Sequence, residues 1–199
     1  DPYSSSKGCA ELVASSYRRS FLQDQGIGIA SVRAGNVIGG GDWADDRLIP
    51  DILRSFEKNK PVVIRNPKAT RPWQHVLEPL SGYLILAQNL YKDQKKYAEG
   101  WNFGPNEKDV QPVDWILDKM ISKWPDSSWE LDNNSSPHEA GFLKLDISKA
   151  KSKLGWSPVW ELSQTLEKIV SWHQAWLNKE DMQATCLTEI EEYTRDINK

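Results

Sequence analysis

The feature that most limits what this chain can become is the passage, within its first 37 residues, from a long amphipathic pattern straight into an apolar run. Ala10, Val13, Tyr17 and Phe21 recur at steps of three and four across residues 4–25, and Gly26 supplies a stop, which predicts a helix with one apolar face. Ile27, Ile29, Ala30, Val32, Ala34 and Val37 follow with few charges, which predicts one buried strand over residues 27–37. A helix feeding such a strand reads as the second half of a strand–helix–strand unit, and those units build parallel sheets.

The remainder continues the alternation. Helices are expected over residues 48–59, 76–91, 113–123, 147–154 and 163–179, with Asp146 and Ser163 as caps and Gly155 as a stop. Short strands are expected over 61–64, 101–104, 129–131 and 142–145. Residues 180–199 are polar and mixed, and read as a loosely held tail with some helix. The class is therefore α/β. A net charge of -3, with Lys and Arg scattered among Asp and Glu, gives no footprint for nucleic acid. No apolar run approaches a membrane span, and no signal peptide is expected. Cys9 and Cys186 are read as small apolar fillers in a reducing cytoplasm, since two distant cysteines supply neither a disulfide framework nor a zinc site. No His, Cys, Asp and Glu cluster has ligand spacing, so no metal is expected.

Tyr3 and Lys7, four apart, project from one face of the first helical turn. An ammonium near a phenol favours the phenolate, and such a tyrosine can take a proton from an alcohol while hydride leaves the same carbon. Tyr91 and Lys95 share the spacing and read as a solvated helix end; the sequence around the first pair is what separates them. Asn36 ends the predicted strand at the edge where α/β sheets bind ligands. Arg71 offers a planar fork for a diphosphate. Gly39-Gly40-Gly41 lacks the spacing of a dinucleotide turn and runs into Asp42, Asp45 and Asp46, which repel phosphate, so it reads as a loop near a substrate. His75 reads as a structural histidine. Of ten tryptophans, Trp115, Trp124, Trp172 and Trp176 fall in helical patterns and read as packing, whereas Trp43 and Trp73 adjoin the candidate site and invite a test for stacking.

Tyr3-Ser4-Ser5-Ser6-Lys7, followed by Arg33-Ala34-Gly35-Asn36-Val37-Ile38-Gly39, resembles the extended short-chain dehydrogenase/reductase family. Gly39-Gly40-Gly41-Asp42-Trp43-Ala44-Asp45-Asp46-Arg47-Leu48-Ile49-Pro50-Asp51, Arg71-Pro72-Trp73-Gln74-His75-Val76-Leu77-Glu78-Pro79-Leu80, Pro137-His138-Glu139-Ala140 and Leu154-Gly155-Trp156 narrow the resemblance to its nucleotide-sugar 4,6-dehydratases, and Pro72 after Arg71 to their CDP-sugar branch. The resemblance implies a partial Rossmann-like parallel sheet, its C-terminal part, plus a small mixed α/β substrate-binding domain. On that basis residues 1–40 belong to the NAD-binding Rossmann domain and 41–180 are mainly substrate-binding, with segments returning to the sheet. Residues 181–199 form the tail. The implied cofactor is NAD, held by Tyr3, Lys7 and Val37, with Tyr3 and Lys7 catalytic. The implied substrate is CDP-glucose, contacted by Asn36, Arg47, Leu48, Arg65, Arg71, Asn102, His138 and Glu139. The implied reaction is a lyase sequence: oxidation at C4, loss of water across C5 and C6, and hydride return at C6. A cytoplasmic homodimer, paired through the helix carrying Tyr3, is implied for the intact enzyme. The chain opens at Asp1-Pro2 without methionine, so the glycine-rich turn and the elimination residues are expected upstream and the chain alone is expected to be inactive. A nucleotide-sugar epimerase or decarboxylase of the same fold remains an alternative, as does a non-catalytic carbohydrate-binding domain.

Overall fold

A computed structural model describes residues 1–132 and 142–199. The first helix, α1 (Pro2–Tyr17), starts where its cap dictates: Asp1 Oδ1 accepts the Ser4 N–H at 2.9 Å, and Pro2 takes the first position, where its missing N–H costs nothing. The helix continues as a π-turn (Arg18–Leu22) and a 3-10 turn (Gln23–Gln25) before Gly26 ends it at φ 69°. The apolar periodicity is present, yet no residue of α1 is buried; Leu12, Val13, Tyr17 and, just beyond, Phe21 are all more than half exposed.

After α1 come β1 (Ser31–Ala34), β2 (Asn36–Ile38), α2 (Leu48–Glu57), β3 (Val62–Ile64), β4 (Thr70–Arg71), β5 (Trp73–His75), α3 (Leu77–Lys92), α4 (Gln94–Tyr97) and β6 (Gly100–Phe103). Then follow β7 (Gln111–Pro112), α5 (Val113–Ile121), β8 (Trp129–Leu131), α6 (Ser148–Leu154), α7 (Leu162–Leu177) and α8 (Met182–Ile197). The strand expected over 27–37 is thus two strands that pair with different partners. β1 runs parallel to β6, and β2 parallel to β5. The break falls at Gly35, where a Cβ would stand 2.2 Å from the Pro72 carbonyl oxygen, so only glycine admits that close approach. The next amide, Asn36 N–H, donates to the same carbonyl at 2.8 Å.

Two compact units result, one of Asp1–Ala34, Pro79–Phe103 and Asp146–Ser157, the other of Gly35–Glu78, Gly104–Leu145 and Pro158–Lys199. The first unit is centred on the β1–β6 pair and an aromatic core in which Trp101 and Phe103 are fully buried and Trp156 nearly so. Phe103 meets Trp156 edge-on at 5.0 Å, while the two indole N–H groups donate to Tyr97 O and Ser81 Oγ. In the second unit, Ile49, Ile52, Leu53 and Phe56 form the inner stripe of α2 and pack with Ile116, Leu117 and Met120 of α5 and Leu166 and Ile169 of α7. β3 pairs in parallel with β8, and β4 antiparallel with β7. The second unit thus takes up β2, which the sequence reading grouped with residues 1–40, and α8, which that reading set apart.

Four local expectations need correction. The strand expected over 142–145 is a single bridge, Thr70 to Phe142, because one ladder contact does not propagate. α7 starts at Leu162, with Asp109 Oδ1 accepting the Leu162 N–H at 2.9 Å, so the cap comes from a distant carboxylate and Ser163 is not the cap. The expected loose tail is a 16-residue helix, α8, whose Asp181 caps it by accepting from Gln183 N–H and Ala184 N–H. Both cysteines are exposed and free, so neither fills a core. Among the described residues, no helix is long and apolar enough to cross a membrane.

Candidate functional site

In the first unit, Tyr3 and Lys7 share a face of α1 as their spacing requires, with the Lys7 ammonium 5.3 Å from the centroid of the Tyr3 ring. Tyr3 is 71% exposed. Among the described residues, no hydrogen bond engages either its hydroxyl or the Lys7 ammonium. Asn102, from β6, is committed elsewhere: its Oδ1 accepts from Arg33 Nη1 at 3.0 Å and its Nδ2 donates to Asp146 O at 3.1 Å. Glu11 completes that network with two Arg33 contacts and the Ser31 hydroxyl, and Arg33 holds its carboxyl below the usual carboxylate range. The Asn102 amide therefore ties β6, β1 and the segment before α6 together, and a diphosphate would have to displace those partners.

In the second unit, Asn36 opens β2 and does not end the expected strand, because the run breaks at Gly35; with Arg71 it stands at the N-terminal end of the parallel β2–β5 pair. The register sets Asn36 opposite Trp73, and the Pro72 carbonyl that accepts the Asn36 N–H belongs to the residue next to Arg71. Arg71 is nearly buried and donates to Thr70 O through Nη1. Val37, opposite Gln74, points outward at 36% exposure. Arg47 and Leu48 open α2, and the exposed Arg47 is steadied by Asp42, whose Oδ2 accepts from Nη1 at 3.0 Å while Oδ1 accepts the Ala44 N–H. Arg65 is exposed just after β3. His138 and Glu139 lie outside the described residues.

The two tryptophans singled out for stacking separate. Trp73 is buried at 7% exposure within the core, so its ring is packing. Trp43 is half exposed, but one side lies against Trp176 at 4.5 Å, with Trp172 and His173 beyond. Gly40 is seated on the Trp172 ring so closely that a Cβ would stand 2.2 Å from it. The loop between Ile38 and Arg47 is thereby held on α7, and Arg54 fixes it further by donating to Trp43 O and Ala44 O.

Glu78 falls within a motif that carries the resemblance, but sequence reasoning assigned it no role of its own. Fully buried at the start of α3, its carboxylate accepts from Trp160 N–H at 2.7 Å, Val159 N–H at 3.0 Å and Tyr193 O–H at 2.8 Å. Burial raises its pKa against the pull of those donors. A charged residue two places after Val76 on the inner side of a helix start was the available signal. His75 is also fully buried; its Nδ1 accepts the Leu77 N–H at 3.3 Å, and burial, aided by Lys168, lowers its pKa to about 4. A cleft of about 490 Å³ opens between α7 and α8, lined in part by Lys168, Trp172, Glu180, Glu189 and Glu192, and none of the expected substrate contacts lines it. Among the described residues, no group of three or more His, Cys, Asp or Glu is placed to hold a metal ion.

A parallel α/β framework with a tyrosine–lysine helix, and with an asparagine and an arginine near one end of a strand pair, fits the nucleotide-sugar epimerase and dehydratase class. The chain belongs to the GDP-mannose 4,6 dehydratase family, whose model matches residues 1–169. It is 60% identical to CDP-glucose 4,6-dehydratase of Salmonella typhimurium over 97% of this chain and 55% of that protein. It is 28% identical to UDP-glucuronic acid decarboxylase 1 of Arabidopsis thaliana over 85% of this chain and 37% of that one. Among solved structures, UDP-glucuronic acid 4-epimerase from Bacillus cereus, in complex with UDP-glucuronic acid and NAD, superposes with a TM-score of 0.69 at 23% identity, over 87% of this chain and 52% of that chain. The dTDP-glucose 4,6-dehydratase from Bacillus anthracis in complex with NAD gives 0.70 at 20% identity, over 87% and 52%. Those two likenesses establish the fold. The chain spans about half the length of the Salmonella relative.

Proposed function

We propose that this chain supplies the substrate-binding part, and the tyrosine–lysine pair, of an NAD-dependent nucleotide-sugar 4,6-dehydratase that converts CDP-glucose to CDP-4-keto-6-deoxyglucose. The observation that carries the reading is the 60% identity to the CDP-glucose enzyme, set against 28% for a relative of different chemistry. The geometry supports it in two places. The unengaged, solvent-facing ends of Tyr3 and Lys7 fit a nicotinamide cofactor, and the Asn36–Arg71 strand end fits a sugar diphosphate.

With NAD bound as hydride acceptor and then donor, the chemistry is oxidation at C4, loss of water across C5 and C6, and reduction at C6. Tyr3 removes the C4 hydroxyl proton, and Lys7 is its charged partner. Lys7 and Val37 help to hold the cofactor. Asn36, Arg47, Leu48, Arg65 and Arg71 hold the nucleotide sugar, and His138 and Glu139 close over the nucleotide. Asn102 enters this set only by exchanging its bonds to Arg33 and Asp146. A cytoplasmic homodimer serving deoxysugar synthesis for the lipopolysaccharide O-antigen rests on the family resemblance alone.

The test is Tyr3→Phe in an enzyme of the relatives' full length. Losing the general base should cut CDP-glucose turnover by about 10²–10⁴-fold, and CDP affinity should stay within about threefold. Turnover that survives the change overturns the role of Tyr3.

A further inference from the structure

We propose that α8 positions the nucleotide-sugar contacts Asn36 and Arg71, acting through Tyr193 and Glu189 on the end of strand β5. The inference rests on the functional reading above and deepens it.

α8 docks by polar groups, with its apolar residues turned outward. Cys186, Glu189, Glu192, Tyr193 and Asp196 fall on one face at steps of three and four, and each meets a different partner. Cys186 Sγ accepts from Trp172 Nε1 at 3.3 Å, Glu192 pairs with Lys168, and Asp196 Oδ2 accepts from Trp160 Nε1 at 2.9 Å. Tyr193, only 4% exposed, donates to Glu78, and Glu189 Oε1 stands 3.6 Å from His75 Nε2. Leu187, Ile190 and Ile197 are roughly half exposed. A helix seated by apolar burial tolerates small slips. One seated by four individual hydrogen bonds, with Glu189 3.6 Å from His75 Nε2, holds a single register, since a slip would strand the buried Tyr193 hydroxyl and the Glu78 carboxylate.

Two of the five partners, His75 and Glu78, bracket the junction between β5 and α3. Because Nδ1 of His75 is an acceptor, its Nε2 carries the proton and faces the Glu189 carboxylate. β5 is buried along its whole length, and its first residue stands opposite Asn36. A displacement at His75 is therefore passed along three residues, about 10 Å, to Pro72, which bonds Asn36 and adjoins Arg71. α8 lies beyond residue 169, where the family model's match ends, whereas the match to the CDP-glucose enzyme covers 97% of the chain and extends into α8. A positioning role tied to this branch accounts for that distribution.

The experiment compares wild type, Tyr193→Phe and Glu189→Gln in an enzyme of the relatives' full length, measuring kcat, KM for CDP-glucose, Kd for CDP and thermal midpoint. Tyr193→Phe keeps the ring that meets Trp160 edge-on at 5.0 Å and deletes only the hydroxyl. Expected are about fivefold rises in KM and in the Kd for CDP, with kcat within about twofold, for each variant. Leu187→Ser, on the outer face, should leave KM and Kd unchanged. A lowered midpoint with KM and Kd unmoved would make α8 a purely structural element and overturn the inference alone. A wild type that neither turns over CDP-glucose nor binds CDP would overturn the functional reading and this inference with it.

Discussion

His75 and Glu78 stand three residues apart, and burial pushes both toward their neutral forms from opposite directions: the imidazole down to about 4, the carboxyl upward. Their linkage to stability has opposite signs. Between pH 6.5 and about 4 the unfolded chain protonates His75 while the folded chain does not, so this residue's contribution falls as pH falls through that window, by about 3 kcal/mol in all, and is flat above it. Glu78 holds its proton in the folded chain to higher pH than in the unfolded one. Its contribution is complete below the ordinary carboxylate value and is lost as pH rises through the raised one. Glu189, also raised by burial, acts in the same sense as Glu78. Bulk stability mixes these terms, so NMR titration of the His75 ring is the clean readout. Its nitrogens should keep the shifts of the neutral Nε2–H form from pH 8 down to 5, and a midpoint near 6.5 would contradict the burial argument. The sequence indicated a structural histidine from its apolar surroundings, but it could not reveal what Glu78 binds, because the three donors lie more than 80 residues away.

Most helices were legible, and so were the short strands expected over 61–64, 101–104 and 129–131, which the structure has as β3, β6 and β8. α2, α3, α5 and α7 lie close to where three-and-four spacing puts them, because several turns of apolar stripe average out local accidents. The run 27–37 misled, since one continuous apolar stretch serves two strands, and the switch between partners is a tertiary event at Gly35. α8 misled for the opposite reason: its buried side is polar, so the pattern resembles a solvated tail. The break at Gly35 gives a direct prediction. In Gly35→Ala the new methyl meets a carbonyl oxygen that already accepts the Asn36 amide, and backbone cannot swing aside as a side-chain tip can. The cost should be about 2–3 kcal/mol by chemical denaturation, with amide exchange faster at Asn36 and Trp73. Loss below about 0.5 kcal/mol would show that the two strands separate more easily than the contact allows.

At the scale of the molecule, the residues proposed for chemistry and most of those proposed for substrate binding belong to different units, Asn102 being the substrate contact that falls in the first. Tyr3 and Lys7 lie in the first, while Asn36, Arg47, Leu48, Arg65 and Arg71 lie in the second. Motif order along the chain supplied the residues proposed for the site. It did not reveal this division, because each unit is assembled from three separate stretches of sequence. If the proposed roles hold, nucleotide binding is separable from redox chemistry. CDP presents a diphosphate and a base but no reacting sugar, so it should engage the second unit alone. At a concentration 100 times its Kd it should stabilise the chain by about 2.7 kcal/mol. Hydrogen exchange should slow at Asn36–Ile38 and Trp73–His75 and stay unchanged along α1. Free glucose lacks the diphosphate for which Arg71 and Arg47 provide planar guanidinium forks, and should produce neither effect. Protection by a free glycan without protection by CDP would instead mark the second unit as a carbohydrate-binding module. Protection by CDP confined to the first unit would relocate the nucleotide site to the β1–β6 face, where Asn102 would have to surrender its bonds to Arg33 and Asp146.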